Sequence, residues 1–174
     1  MTPTTQVLIL MGSASDAAVM QAAADVLKKL GVSAEITVAS AHRSPDRVRQ
    51  LIRDAPSQGV RVFIVGAGAA AHLAGVVAAQ TTLPVIGVPI DSSALKGLDA
   101  LLSTVQMPPG VPVATVSIGQ AGATNAGVLA AQILAISDSA LAKRLDDYKK
   151  KLADDVEKAA RELGSQQRAT SNER

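Results

Sequence analysis

The sequence predicts an α/β protein in which a five-stranded parallel sheet is covered by helices on both faces. Short apolar runs alternate with helical patterns five times along the 174 residues. Uninterrupted apolar runs are typical of strands that are buried on both faces, and parallel strands need a crossover helix between them. The core has to be aliphatic, because the chain is 48% hydrophobic but contains only one Phe, one Tyr and no Trp.

The order of the elements follows from these patterns. The predicted strands cover residues 6–11, 33–40, 60–66, 83–89 and 111–118. Helical spacing of apolar residues predicts helices over residues 15–30, 45–55, 69–80, 95–103 and 124–137. Gly31 stands where a left-handed C-terminal cap would end the first helix. Ser44 and Pro45 fit the N-cap and the first position of the second helix.

The last 37 residues differ from the rest of the chain. They hold 17 charged residues, against 15 in positions 1–137. Residues 138–163 have the spacing of a long amphipathic helix, and the polar tail of residues 164–174 is expected to be disordered. We therefore expect one domain over residues 1–163, with its C-terminal helix at subunit contacts.

The stretch from Val62 to Ser137 is nearly free of charge, since its only charged residues are Asp91, Lys96 and Asp99. A membrane span does not explain this, because glycines and prolines interrupt the stretch and much of it is weakly apolar alanine. A monomer of this size has too much surface to leave so many apolar faces uncharged. The sequence therefore predicts a homo-oligomer that does not enter a membrane.

The composition argues against several classes of function. The net charge is only +2, and no cluster of Lys and Arg is interleaved with aromatic residues, so nucleic-acid binding is not expected. Two histidines and no cysteine leave no set of residues with the spacing of a metal site, and the absence of cysteine fits a reducing compartment. The N-terminus lacks the pattern of a secretory signal, so the expected location is the cytoplasm.

Unusual residues follow each of the five predicted strands, at the sheet edge where ligands of such folds bind. After the first strand, the segment GSASD contains Gly12, Ser13 and Asp16. A flexible glycine, hydroxyl groups and the free N–H groups of a helix start suit a phosphate oxygen. The alternative is that Ser13 or Ser15 only caps the helix, while Asp16 satisfies its first turn.

The segment SAHRSPD, residues 40–46, places His42 and Arg43 directly after the second strand. Arg binds phosphate in a bidentate manner, and His can donate and accept a proton near neutral pH. A surface Arg beside a capping His is the alternative. The expected closeness of this loop to GSASD favours a functional site.

The segment GAGAAAH, residues 66–72, is a poor dinucleotide-binding motif, because it lacks the third glycine and follows the third strand rather than the first. Close approach of the backbone to a small planar ligand is a better use of Gly66 and Gly68. For His72, at the start of an apolar helix, we expect a structural role with a hydrogen bond. A serine–histidine–acid triad would need a G-x-S-x-G turn, which the chain lacks.

Taken together and in this order, these segments resemble one enzyme family, the class I N5-carboxyaminoimidazole ribonucleotide mutases of purine biosynthesis. The family is also called the catalytic subunit of phosphoribosylaminoimidazole carboxylase. The resemblance runs from about Val7 to Leu145 and rests on MGSASD, SAHRSPD, GAGAAAHLAG, PVIGVPI, GLDALLSTVQMPPGVPVATVSIG and AGATNAGVLAAQIL. An Arg directly after the His resembles the mutase class. The class that carboxylates aminoimidazole ribonucleotide directly with carbon dioxide typically has Lys there.

The resemblance implies a three-layer α/β/α sandwich similar to flavodoxin, assembled as an octamer, and a small nucleotide as substrate. It implies that His42 is the catalytic histidine. Ser13 and Arg43 would bind the phosphate, and Asp16 the ribose hydroxyls, because a carboxylate beside a phosphate would be repelled. The other implied substrate-binding positions are Gly12, and Ser40, Ala41, Gly68 and the loop of residues 66–72 around the imidazole and its carboxylate.

The implied reaction moves a carboxyl group from the exocyclic nitrogen to ring carbon C4. His42 protonates the nitrogen while the carbamate loses carbon dioxide, and it later removes the proton from C4. The resemblance implies no metal, ATP, biotin or flavin, and a separate synthetase that supplies the carbamate. The alternatives are direct carboxylation of aminoimidazole ribonucleotide with carbon dioxide, and a flavodoxin-like binding or signalling module without catalysis.

Two residues depart from the family pattern. Ala69 stands where the family usually has Gly, and Ala74 where it usually has Pro. Both flank the reacting base in the implied site. The change at Ala69 leaves the geometry of the loop unaltered only if the backbone has a negative φ there.

Overall fold

The computed structural model describes residues 4–171, the last six of them by their backbone alone, and within this range the sheet has five parallel strands in the order β2-β1-β3-β4-β5. The strands are β1 (Val7–Met11), β2 (Ala34–Val38), β3 (Val62–Gly68), β4 (Val85–Ile90) and β5 (Ala114–Thr115). The α-helices are α1 (Ala17–Lys29), α2 (Pro45–Asp54), α3 (Leu73–Ala78), α4 (Leu98–Val105), α5 (Gly119–Ala135) and α6 (Ser139–Ser171). The predicted fold class is confirmed.

Helices cover both faces of the sheet. On one face, a single buried cluster joins strands β1 and β3 to helices α2 and α3 through Leu8, Leu10, Phe63, Val65, Val48, Ile52, Leu73 and Val77. On the other face, Gly66 leaves room for α1, since a Cβ there would lie 2.9 Å from Met20 Cγ. Gly127 of α5 packs closely on the same helix, because its Cβ would lie 2.9 Å from the carbonyl oxygen of Ala23.

The edge strand β2 is tied to the helix that follows it. Arg47 of α2 donates from Nε to the carbonyl oxygen of Val38 at 2.9 Å and from Nη2 to the hydroxyl of Thr37 at 2.9 Å. These bonds occupy part of the open edge of the sheet. They also fix both ends of the loop of residues 39–44, which carries the two most unusual side chains of the sequence.

Two helices begin later than predicted because of left-handed backbone conformations. α3 begins at Leu73 rather than near residue 69, since Ala69 has a φ of 50° and cannot continue into a right-handed helix. α4 begins at Leu98, because Lys96 and Gly97 have φ values of 50° and 83°. By contrast, Gly31 at the end of α1 has the predicted positive φ, at 70°.

Two elements near the C-terminus also differ from the prediction. β5 pairs over Ala114–Thr115 only, and Pro112 just before it has no N–H group for the sheet. The last helix does not end at residue 163 but continues to Ser171. Its extension contains no proline and several good helix formers, so residues 164–171 of the expected tail are helical. Residues 172–174 of that tail lie outside the described residues.

The chain divides into two compact units, Met1–Leu134 and Ala135–Arg174. The first contains the sheet with α1–α4 and nearly all of α5, and the second contains α6. One domain over residues 1–163, with its last helix at subunit contacts, stays a prediction. Among the described helices, none combines the length and the apolar character that a membrane span requires.

Candidate active site

A cleft of about 300 Å³ lies at the carboxyl edge of the sheet, a volume that suits a small ligand. All the residues that the sequence predicts for the site line this cleft: Gly12, Ser13, Asp16, Ser40, Ala41, His42, Arg43 and Gly68. They come from the ends of β1, β2 and β3 and the loops that follow. What each of them binds stays a prediction.

The cleft is also lined by Ser15 of the GSASD segment and by Ala67, Ala70 and His72 of the loop of residues 66–72, which was expected to surround the imidazole. Two further lining residues were not predicted: Leu73 and, after β4, Ser92. The segment that follows β5, which was expected to converge on the same edge, is not part of the lining within the described residues. Four loops rather than five therefore form the cleft.

The GSASD segment forms a capping box around a short 3-10 helix, Ala14–Asp16, that leads into α1. The Ser13 hydroxyl oxygen accepts the N–H of Ser15 at 3.3 Å and the hydroxyl of Ser15 at 2.9 Å. The Asp16 carboxylate accepts the N–H of Ser13 at 3.2 Å. The capping alternative thus describes the internal bonds of the loop correctly, although Ser13 and Asp16 also line the cleft.

Asp16 is the one charged residue of the cleft that is buried, with 6% of its surface exposed. Burial raises the pKa of its carboxyl above the ordinary value, because it disfavours the ionised form. Hydrogen bonds from the N–H of Ser13 and the hydroxyl of Ser15, together with the charge of Arg43, lower the pKa and offset only part of this effect.

Arg43 joins the loops that follow β1 and β2. Its Nη2 donates to the carbonyl oxygen of Gly12 at 2.8 Å, and its backbone N–H donates to the Ser40 hydroxyl oxygen at 3.2 Å. Ser44 and Pro45 are the N-cap and the first residue of α2, as predicted, although the Ser44 side chain makes no capping hydrogen bond. Its hydroxyl oxygen instead accepts the N–H of Ser40 at 3.1 Å, so it closes the loop that carries His42.

The two histidines meet in the cleft. Nε2 of His42 lies 2.9 Å from Nδ1 of His72, and the rings stand edge to face with centroids 5.0 Å apart. A hydrogen bond was expected for His72, and one is present. Its partner is the predicted catalytic histidine, so a purely structural role does not describe His72 fully. The available signal was that His42 follows β2 and His72 follows β3, two parallel strands that flank β1 and end at the same edge of the sheet.

The glycines of β3 allow close packing within the protein. A Cβ on Gly68 would lie 2.8 Å from Ser92 Cβ and 3.2 Å from the carbonyl oxygen of Ile90, so only glycine fits beside the loop after β4. The space next to Gly66 is filled by Met20. The expectation that Gly66 approaches a ligand is therefore wrong, whereas Gly68 does line the cleft.

Ala69 does not meet the condition under which a Gly-to-Ala change would be harmless. Its φ is 50°, in the left-handed region, where an alanine costs about 1–2 kcal/mol relative to a right-handed conformation. The segment between β3 and α3 therefore carries strain next to the cleft. Ala74 is buried in α3, in the second position of the helix.

The described residues contain no group of three or more His, Asp or Glu side chains that could hold a metal ion. The chemistry that the cleft itself offers is a cationic guanidinium, a buried carboxyl group, several hydroxyl and N–H groups, and a hydrogen-bonded pair of imidazoles. This set can bind an anion and transfer a proton.

The raised pKa of Asp16 predicts a pH-dependent difference in stability. The folded protein binds the Asp16 proton more tightly than the unfolded chain, so this residue contributes less stability as the pH rises from the ordinary pKa of about 3.9 through the raised value. Asp16→Asn removes that titration. As the pH rises from about 3.5 to 7, we expect the free energy of unfolding of the variant to increase relative to that of wild type. Urea unfolding at several pH values measures the difference, and a constant or opposite difference would contradict the prediction.

Comparisons with known proteins show the family to which the chain belongs. The protein named "N5-carboxyaminoimidazole ribonucleotide mutase" from Bacillus subtilis is 58% identical over 139 residues, which cover 80% of this chain and 86% of the relative. Its namesake from Brucella melitensis is 53% identical over 150 residues, covering 86% of this chain and 93% of the relative. The protein of the same name from Escherichia coli is 52% identical over 151 residues, which cover 87% of this chain and 89% of the relative.

A solved structure and a family model cover the same part of the chain. The crystal structure of Treponema denticola PurE superposes with a TM-score of 0.79 at 29% sequence identity, covering 88% of this chain and 94% of that one. The family model described as AIR carboxylase matches residues 6–155. The match spans every strand of the sheet and the whole cleft, and the chain belongs to the AIR carboxylase family.

Proposed function

We propose that this chain is an N5-carboxyaminoimidazole ribonucleotide mutase of purine biosynthesis. It is an isomerase that moves a carboxyl group from the exocyclic nitrogen of a small nucleotide to C4 of the imidazole ring. Relatives of that name are 52%, 53% and 58% identical over most of the chain. The observation that carries the proposal is the cleft in which an Arg, a buried Asp and a pair of histidines meet.

The loops after β1 and β2 suit the ribose phosphate. Arg43 is a cation that bridges these two loops, and a guanidinium binds phosphate through charge-assisted hydrogen bonds. Ser13 adds a hydroxyl group on the same side of the cleft. A phosphate next to Asp16 would raise the cost of its negative charge further, so we assign this carboxyl group to the ribose hydroxyls.

The other end of the cleft suits the reacting base. His42 would give a proton to the exocyclic nitrogen as the carbon–nitrogen bond of the carbamate breaks, which leaves carbon dioxide and aminoimidazole ribonucleotide. C4 then attacks the carbon dioxide, and His42 takes the proton that C4 loses. Ser40 and the small residues Ala41, Ala67 and Gly68 also line the cleft, and close confinement there would keep carbon dioxide near C4.

Direct carboxylation of aminoimidazole ribonucleotide is the second candidate. The description of the family model, AIR carboxylase, favours it, whereas the names of the relatives favour the mutase. Arg43 directly after His42 supports the mutase, because the class that carboxylates directly typically has Lys there. The two reactions differ in substrate, so one assay separates them.

For the assembly we propose a homo-octamer in the cytoplasm, which receives its carbamate substrate from a separate synthetase. The charge-poor region of the sequence supports an oligomer, and so does an apolar surface on and before α4. The side chains of Leu95, Leu98, Leu102 and Val105 are 61%, 51%, 49% and 48% exposed. Their burial against further copies of the chain would be favourable.

The assay that tests the function uses freshly made N5-carboxyaminoimidazole ribonucleotide without ATP or added bicarbonate. Product carboxylated at C4 is followed by its ultraviolet absorbance. We expect rapid conversion by wild type and a kcat lower by about 10²- to 10⁴-fold in His42→Asn, since the acid–base group is lost. A variant with a near-normal rate would refute the role of His42. Product formed only from aminoimidazole ribonucleotide and carbon dioxide would favour the direct carboxylase.

Arg43→Ala tests the phosphate site. Loss of a charge-assisted hydrogen bond costs about 1.5–3 kcal/mol, so KM should rise about 10- to 100-fold while kcat changes less. Arg53→Ala is the matched control, because Arg53 has the same charge but lies in the last turn of α2 and donates to Gln50 outside the cleft. Steady-state kinetics of both variants give the comparison. An unchanged KM in Arg43→Ala would count against the assignment.

Leu102→Lys tests the assembly. Leu102 is 49% exposed in the single chain, so a lysine there should not disturb folding, but it would place a charge in the proposed contact. We expect a smaller assembly than wild type in analytical ultracentrifugation. Gln50→Lys, on the polar surface of α2, is the control and should leave the mass unchanged. An octamer that persists in Leu102→Lys would exclude this surface as a subunit contact.

A further inference from the structure

The pair formed by His42 and His72 carries an inference beyond the assignment of one catalytic histidine. The two ring nitrogens that face each other lie 2.9 Å apart, which is a hydrogen-bond distance. One nitrogen has to donate an N–H and the other has to accept it with a lone pair. The bond therefore exists only in certain protonation states of the two rings.

The remaining charged groups of the cleft do not compete for this bond. Asp16 hydrogen bonds within the loop after β1, and Arg43 connects that loop to Ser40. Among the described side chains, His72 is thus the group that holds the ring of His42. Nδ1 of His42 has no hydrogen-bond partner in the described part of the protein, so it is available to a substrate.

One tautomer of His72 supports both forms that an acid–base histidine must take. If His72 carries its proton on Nε2, its Nδ1 accepts the N–H of Nε2 of His42. His42 keeps this N–H whether it is neutral or doubly protonated, so the bond persists in both states. The proton that is exchanged with the substrate then sits on Nδ1 of His42.

A proton on Nδ1 of His72 would prevent His42 from acting as both an acid and a base. If Nδ1 of His72 carries a proton, Nε2 of His42 has to accept it, and a neutral His42 then has its only N–H on Nδ1. Such a ring can donate from Nδ1 but cannot accept a proton there. A further proton on Nε2 of His42 would place two N–H donors against each other, which breaks the bond.

We propose that His72 is the positioning residue for His42: its Nδ1 accepts the N–H of Nε2 of His42 and so fixes the tautomer and the orientation of the ring that faces the substrate. Nothing in this assignment requires His72 to touch the substrate. The inference rests on the proposed acid–base role of His42, and it adds a second side chain on which that role depends.

Three variants test the role in turnover. His72→Asn supplies an amide oxygen near the position of Nδ1, whereas His72→Leu and His72→Phe supply no acceptor, and Phe keeps the ring volume. We expect kcat to fall about 10- to 100-fold in the Leu and Phe variants, because the ring of His42 is no longer held. KM should change less than about threefold in all of them, and the Asn variant should keep most of the wild-type kcat.

The pH dependence of kcat provides a readout that a merely structural role would not move. The groups that can change charge in the cleft are Asp16, His42 and His72, together with the permanent charge of Arg43. Asparagine cannot take up a proton, so it stays an acceptor in acid. We expect kcat of His72→Asn to persist to a lower pH than that of wild type. A profile identical to wild type would contradict the proposal.

The hydrogen bond itself can be tested without turnover. The chain has two histidines, so a long-range ¹H–¹⁵N NMR spectrum contains two imidazole rings, and His72→Asn leaves that of His42 alone. At neutral pH we expect His42 with its proton on Nε2 in wild type and in His72→Asn, and a mixture of tautomers in His72→Leu.

The outcomes separate this inference from the proposed function. A His42 signal that is the same in wild type and His72→Leu, or equal kcat values for His72→Asn and His72→Leu, would overturn the positioning role. Wild-type protein without mutase turnover but with the expected NMR tautomer would refute the proposed function instead, and leave the hydrogen bond in place. Circular dichroism of each variant identifies one that fails to fold, in which case the Phe variant replaces Leu.

Discussion

The pairing register of the parallel sheet is the constraint on which the cleft depends. Met11, the last residue of β1, pairs with Val38 on one side and Gly66 on the other, and Gly68 pairs with Ile90. The chain therefore leaves four neighbouring strands at one edge, and the loops begin side by side. A shift of one residue in any pair would move the side chains of a strand to the opposite face of the sheet and displace these loops along it. The buried strands thus fix where the reactive groups lie.

Much of the fold and of the site could be predicted from the sequence, because few polar residues occur in its apolar body. Strands such as VLILM have a clear signature, and His42 and Arg43 are conspicuous where a strand ends. What could not be predicted depends on the direction of side chains and on local φ angles. The left-handed Ala69 and the lining role of Ser92 are examples. These features are decided by packing between segments that are distant in the sequence.

Close packing of the backbone at this edge of the sheet is accompanied by a strained residue. Gly68 lets the loop after β4 approach β3, and the next residue, Ala69, takes a strained conformation. The strained residue lies between the end of β3 and the first turn of α3, where Leu73 and Ala74 are buried. His72 lies between the strained residue and this helix, as the N-cap residue of α3. The conformation of this segment therefore helps to place its ring next to His42.

The small number of polar groups in the cleft also explains why we assign its two ends to different parts of the substrate. Asp16 and Arg43 each bond to the loop that follows β1, at the end assigned to the ribose phosphate. The imidazole pair bonds to itself at the end assigned to the base. A carboxylate bonded to His42 would favour its cationic form, whereas a neutral imidazole acceptor holds the ring without adding a charge. A group that has to act first as an acid and then as a base needs both forms to be accessible, and the pairing of two histidines meets that requirement better than a pairing with a carboxylate.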